Sequence, residues 1–190
     1  VQLILIRHGR PERIDHDPDG ANPGLTDLGH RQAAAMATYL SRETIDALYV
    51  SPQQRAIDTA APLAGVLGHA PIVVHGLAEF DLGHSSYIPG EEAPPLTGAE
   101  LDAIIAAVTA DSFRSRVHDA VDQIISDHPG ETVAAVCHGG VISTVLADLL
   151  GVDAMMYFDS HYTSVSRIKA STSGRKSMAS FNECHWLREL

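Results

Sequence analysis

The N-terminal stretch Val1-Gln-Leu-Ile-Leu-Ile-Arg-His-Gly-Arg10 decides the fold. Its apolar run, Val1 to Ile6, stops abruptly at Arg7-His8-Gly9. Short apolar runs rich in β-branched residues read as buried strands. Arg7 and His8 then stand at the C-terminal end of a strand, the edge where open α/β sheets bind ligands. Gly9 permits a sharp turn or a close approach of the backbone to a bound group. The functional reading makes His8 a nucleophile and Arg7 a clamp for an anion, best matched by phosphate. The bland alternative is a strand that ends in a polar loop.

Working outward, the same junction recurs. Residues 11 to 25 are rich in Pro, Gly, Asp and Asn and read as a loop beside the first strand end. Within reach of an anion this region offers Arg10, Arg13, His16 and Asn22, with Arg10 foremost because it adjoins His8. Thr26 reads as the N-cap of a helix over Asp27 to Ser41, followed by a strand over Ile45 to Val50. Ser51-Pro52 then starts a second helix, with Ser51 as cap. Arg55 falls in its first turn, where a cation opposes the helix dipole but helps to hold an anion beside the free amides. Asp58, one turn on, is placed to orient that guanidinium.

Pro71 to His75 reads as a third strand, and the loop after it carries Glu79 and Asp81. Either carboxyl is a candidate general acid if burial raises its pKa. Residues 82 to 98 form a connector or small lid, rich in proline. Thr97-Gly-Ala-Glu100 is a capping-box pattern that opens a helix to about Ala110, and Asp111 or Ser112 caps another that runs to about His128. Arg114, Arg116 and His118 read as the solvated face of the latter. Glu131 to Cys137 is a fourth strand, and His138-Gly139-Gly140 again feeds a helix, its glycines allowing amides to approach an anion. Cys137 reads as a buried strand residue. Thr163 to Ala170 and Lys176 to Asn182 read as a hairpin at a sheet edge, a place where two copies of the chain can pair.

The bulk numbers bound the function. The chain has 190 residues, enough for one domain with a sizeable core, and 45% of them are hydrophobic. A net charge of −11 argues against a nucleic-acid or anionic-membrane surface. With only Cys137 and Cys184 there is no disulfide framework, so a cytoplasmic location is the natural expectation. No stretch reaches transmembrane length. No leader is visible before the first strand, yet without an initiator Met a removed leader stays open. Eleven histidines raise the question of metal, but His-Glu-x-x-His and Cys-x-x-Cys are both missing. The reading therefore calls for no metal and no cofactor.

Together the junctions supply His8, Arg7, Arg55, Glu79 and His138 to one sheet edge. Two arginines neutralise phosphate oxygens, a neutral imidazole attacks phosphorus in line, and a carboxylic acid protonates the leaving oxygen and later activates water. A second histidine stabilises transition-state charge.

Leu5-Ile-Arg-His-Gly-Arg-Pro11, Ser51-Pro-Gln-Gln-Arg-Ala-Ile-Asp-Thr-Ala60, Leu77-Ala-Glu79 and Val136-Cys-His-Gly-Gly-Val141 resemble, in order and spacing, the motifs of the histidine phosphatase superfamily. The resemblance covers nearly the whole chain. It implies the phosphoglycerate-mutase-like fold, a three-layer α/β/α sandwich around a mostly parallel sheet. It also implies a phosphohistidine on His8, a phosphate pocket of Arg7, Arg55 and His138 with Gly139, Glu79 as proton donor, and substrate contacts from Ser51 and Asn22. The segment after Glu79 lacks the bulky aromatic pattern of the mutases, and only residues 82 to 98 are available as a lid. The expectation is a metal-independent phosphatase acting on a small phosphomonoester. A cofactor-dependent phosphoglycerate mutase and a non-catalytic phosphate-binding module are the alternatives.

Overall fold

A computed structural model describes residues 1–95, 97–152, 159–171 and 173–190. Position 96 of the expected lid and position 172 of the hairpin turn lie outside the described residues. Six strands form one sheet: β1 (Gln2–Arg7), β2 (Ala47–Val50), β3 (Ile72–Val73), β4 (Thr132–Cys137), β5 (Val165–Ala170) and β6 (Lys176–Glu183). Their order is β3-β2-β4-β1-β5-β6. The pairs β3·β2, β2·β4 and β4·β1 are parallel, while β5 and β6 run antiparallel as an edge hairpin. Five helices accompany the sheet among the described residues: α1 (Asp27–Leu40), α2 (Gln54–Leu67), α3 (Gly98–Thr109), α4 (Asp111–Asp127) and α5 (Gly139–Leu150). The expected three-layer sandwich is the observed one.

The layers follow from the period of two along each strand. On β1, Leu3 and Leu5 join Val133 and Ala135 of β4 against Val117 and Val121 of α4 and Leu146 of α5. The alternate residues Ile4 and Ile6 join Ala134 and Val136 against Met36 and Leu40 of α1 and Ala60 and Leu63 of α2. Central strands covered on both faces must be apolar at every position, hence the unbroken runs. Among the described residues no helix is long and apolar enough to cross a membrane. Both cysteines are free, and Cys137 is fully buried.

Several boundaries depart from expectation. The third strand keeps only Ile72 and Val73, because it is an exposed edge strand that begins after Pro71. A 3-10 turn over His75–Leu77 follows it. Helix α2 starts at Gln54 rather than at Ser51-Pro52, and its first amide is capped from afar by Asn22 Oδ1 at 2.8 Å. The chain turns from α3 to α4 at Ala110, so Asp111 sits in the first turn of α4 instead of capping it. Arg116 is not a solvated side chain: it donates to the carbonyls of His75, Gly76 and Ala78 at 2.9–3.1 Å and staples the turn that precedes Glu79. The C-terminal residues form a 3-10 turn (His185–Glu189) whose Trp186 stacks on Tyr39, ring centroids 4.5 Å apart.

Candidate active site

The parallel strands deliver their C-terminal ends to one cavity of about 720 Å³. Arg7 and His8 follow β1, Arg55 follows β2, Glu79 follows the 3-10 turn after β3, and Gly139 follows β4; all line the cavity. His138 lies just behind, its ring centroid 5.1 Å from that of His8. The residues expected to meet therefore do meet.

The backbone holds His8. Its Nδ1 lies 2.7 Å from its neighbour's carbonyl, Gly9 O, which fixes the Nδ1–H tautomer and leaves the Nε2 lone pair free. Gly9 itself is needed for close packing: a β-carbon there would come within 2.8 Å of the Gly29 carbonyl oxygen of α1. The close approach expected of this glycine is thus to another backbone segment. Its amide donates to Thr59 Oγ1 at 2.9 Å, which ties β1 to α2.

Ser51, freed from capping, lies 2.7 Å from His138 Nε2. Ser51 Oγ also accepts the Gln53 amide at 3.4 Å; with the Ser51 hydroxyl donating to Nε2, the His138 proton sits on Nδ1. Both imidazoles are held well below their usual pKa, first by burial and then by the positive field of Arg55 and Arg7. They are neutral at neutral pH.

The arginines are anchored by different means. Arg7 donates to the Ser160 carbonyl and lies over the Tyr162 ring, 4.4 Å from its centroid. Arg55, 1% exposed, binds both oxygens of Asp81 at 2.8 and 2.9 Å and lies 4.5 Å from the Tyr87 centroid. Asp81, not Asp58, orients this guanidinium; Asp58 instead accepts from the Leu25 amide and from Gln54. Among the described residues, four donors here, Arg7 Nε, Arg55 Nε and Nη1, and His138 Nδ1, are buried without a hydrogen-bond partner, as is Ser160 Oγ. Unpaired buried donors cost roughly 1–3 kcal/mol each, and an anion with several oxygens satisfies them together.

Glu79 is 7% exposed, and its carboxyl pKa is raised to about 7. Burial is the main cause and the nearby Asp81 charge the second, opposed by amide hydrogen bonds from Gly140 and Phe80. The Gly140 amide donates to Oε2 at 2.8 Å, and a β-carbon on Gly140 would overlap the carboxyl. The glycine pair of His138-Gly-Gly does bring an amide to an anion, and that anion is Glu79. Gln53 links the acidic groups: its carbonyl accepts the Glu79 amide at 2.7 Å and its amide donates to Asp81 at 2.8 Å.

Four side chains expected within reach of the anion fall elsewhere. Asn22 is exposed at the α2 N-terminus and does not line the cavity. Arg10 pairs with Glu91 and Glu92 at 3.0 and 2.8 Å, and Glu91 also accepts from Tyr162. Arg13 pairs with Asp15, and His16 is exposed. Gln53, Tyr87, Ser160 and Tyr162 were not anticipated. No local pattern marks Tyr87 or Tyr162, but Gln53 lies within the Ser51-to-Arg55 motif and was open to notice.

A pocket with two arginines at the C-terminal edge of a parallel sheet, beside two neutral histidines and a protonatable carboxyl, has the makings of a phosphate site in an α/β protein. The chain matches the model of the histidine phosphatase superfamily (branch 1) over residues 3–183 and belongs to that family. A bifunctional protein from Mycobacterium tuberculosis is 32% identical over 98% of this chain, which spans only 55% of that relative's length. A glucosyl-3-phosphoglycerate phosphatase from Mycolicibacterium vanbaalenii is 31% identical over 80% of this chain and 75% of its own. A crystal structure of a phosphoserine phosphatase mutant from Entamoeba histolytica, in complex with phosphoserine, superposes with a TM-score of 0.73 at 25% identity, over 98% of each chain.

Proposed function

We propose that this chain is a metal-independent phosphomonoester hydrolase that works through a phosphohistidine on His8. The observation that carries the reading is the arrangement of two neutral, buried histidines between Arg7 and Arg55, with unpaired donors around them. Similar proteins named as phosphatases support it.

In the first step His8 Nε2 attacks phosphorus in line. The ester P–O bond breaks as the P–N bond forms, and Glu79 gives its proton to the departing oxygen. Arg7, Arg55 and His138 Nδ1–H hold the three spectator oxygens, whose charge grows in the transition state. In the second step the Glu79 carboxylate takes a proton from water. The water oxygen attacks phosphorus, the P–N bond breaks, and phosphate leaves with His8 neutral again. Asp81 suits the acid role poorly because both its oxygens face the Arg55 guanidinium; its place is to hold Arg55.

The test is rapid acid-free quenching of the enzyme with 32P-labelled p-nitrophenyl phosphate. The expected product is a phosphoenzyme stable to alkali and labile to acid. It should be absent in His8→Ala, whose turnover should fall by about 10⁴ or more. Turnover should not change with EDTA. Retained turnover in His8→Ala would refute the mechanism.

A further inference from the structure

The cavity holds far more than a phosphate group, so its remaining wall reports on the rest of the substrate. Among the described residues that line it, the only arginines are Arg7 and Arg55, both at the phosphate end, and no lysine lines it. Away from these arginines the lining is Phe80, Ile88 and Ile104 with His84, Ser86 and Asp159, while Asp81 is paired with Arg55. Arg10, two residues beyond His8, is engaged by Glu91 and Glu92. Ile104 comes from α3, an apolar helix none of whose described side chains is buried. That leaves apolar surface around the mouth which a ligand body can cover.

We infer that the substrate carries no second anionic group: it is a monophosphate ester of an uncharged or cationic alcohol with an apolar body. This rests on the phosphatase reading and narrows it. A carboxylate beyond the phosphate would meet hydrocarbon, an imidazole and hydroxyls, with no lysine and no further arginine among the described lining residues to repay its desolvation. A ring or alkyl body would instead bury against Phe80, Ile88 and Ile104.

The experiment compares benzyl phosphate with 4-carboxybenzyl phosphate at pH 7 and fixed ionic strength. The two esters have nearly the same leaving oxygen and differ in one distal charge. We expect kcat/KM for benzyl phosphate to exceed that for the carboxylated ester by about tenfold or more. In Ile88→Arg, a change at a half-exposed loop position that the fold tolerates, the ratio should narrow through faster turnover of the carboxylated ester. Equal or faster hydrolysis of the carboxylated ester by the native enzyme overturns the inference and leaves the phosphatase reading standing. An unchanged ratio in Ile88→Arg overturns the assignment of the wall. Hydrolysis of neither ester refutes the phosphatase reading itself and this inference with it.

Discussion

The two ends of the cavity are built differently. At the phosphate end, His8, Arg55 and His138 are 3%, 1% and 0% exposed and are fixed by backbone carbonyls, a carboxylate pair and the strand ends of a sheet packed on both faces. At the mouth, Leu82, His84, Ser86 and Ile88 are exposed, and the loop is held by pairing with residues 14 to 21 and by ion pairs to Arg10. The difference teaches where rigidity is spent: the proposed chemistry rests on the sheet, and the proposed choice of substrate rests on loops that can change without disturbing it.

The largest expected effect at the rigid end is on Glu79. Glu79→Gln should lower kcat for alkyl phosphates by about 10²–10⁴. It should also remove the fall in activity expected of the unchanged chain as Glu79 loses its proton above about pH 7. The same change should stabilise the fold. The folded chain keeps the Glu79 proton to about pH 7, whereas the unfolded chain releases it near the ordinary 4.5. The folded state therefore binds more protons in that window, and stability declines as pH rises through it. At pH 8 the Gln variant should be more stable by roughly 3 kcal/mol in urea unfolding, and the two proteins should converge below pH 4.5. The histidines act in the opposite sense. Their folded pKa values are depressed, so the unfolded chain binds more protons below 6.5 and stability falls as pH drops below that value.

Next in size, Ile6→Ala should cost about 2–5 kcal/mol, because Ile6 is fully buried in the layer packed against α1 and α2. Ile88→Ala at the mouth should cost less than about 0.5 kcal/mol. Equal losses would erase the contrast between the two ends. Gly140→Ala should then reduce kcat by about tenfold to hundredfold, by displacing the Glu79 carboxyl while leaving phosphate affinity intact. A parallel loss of phosphate binding would mean that the glycine serves the anion directly. Smallest of all, the double change Glu91→Gln with Glu92→Gln should keep kcat/KM for benzyl phosphate within about threefold, since surface ion pairs contribute little.

The contrast also explains what the sequence disclosed. Val1 to Ile6 and Glu131 to Cys137 are continuous apolar runs because both faces of their strands are covered, and the polar residue that ends each run had to lie at the sheet edge. His8, Arg55, Glu79 and His138 were legible for that reason, with Arg7. The residues that position them were not. Asp81 rather than Asp58 meets Arg55, across 26 positions of sequence, and Arg116 reaches 41 positions back to His75. Such partners are chosen by tertiary packing, which leaves no local period to read. Asn22 was misjudged for a related reason: a loop asparagine has equal claim to a ligand or to the bare end of a neighbouring helix, and here it took the helix.

The Arg116 staple has a thermal consequence. The turn that presents Glu79 is fastened to α4, a helix that gives no other group to the chemistry, while His8 hangs from the central strands. On warming, the outer helix should loosen before the sheet, so Glu79, the proposed proton donor, should drift while His8, the proposed nucleophile, stays in place. Esters with poor leaving groups need that proton and p-nitrophenolate does not. Heated slowly, the enzyme should lose benzyl phosphate as a substrate several degrees before it loses p-nitrophenyl phosphate, and the ratio of the two rates becomes a thermometer for one turn of chain.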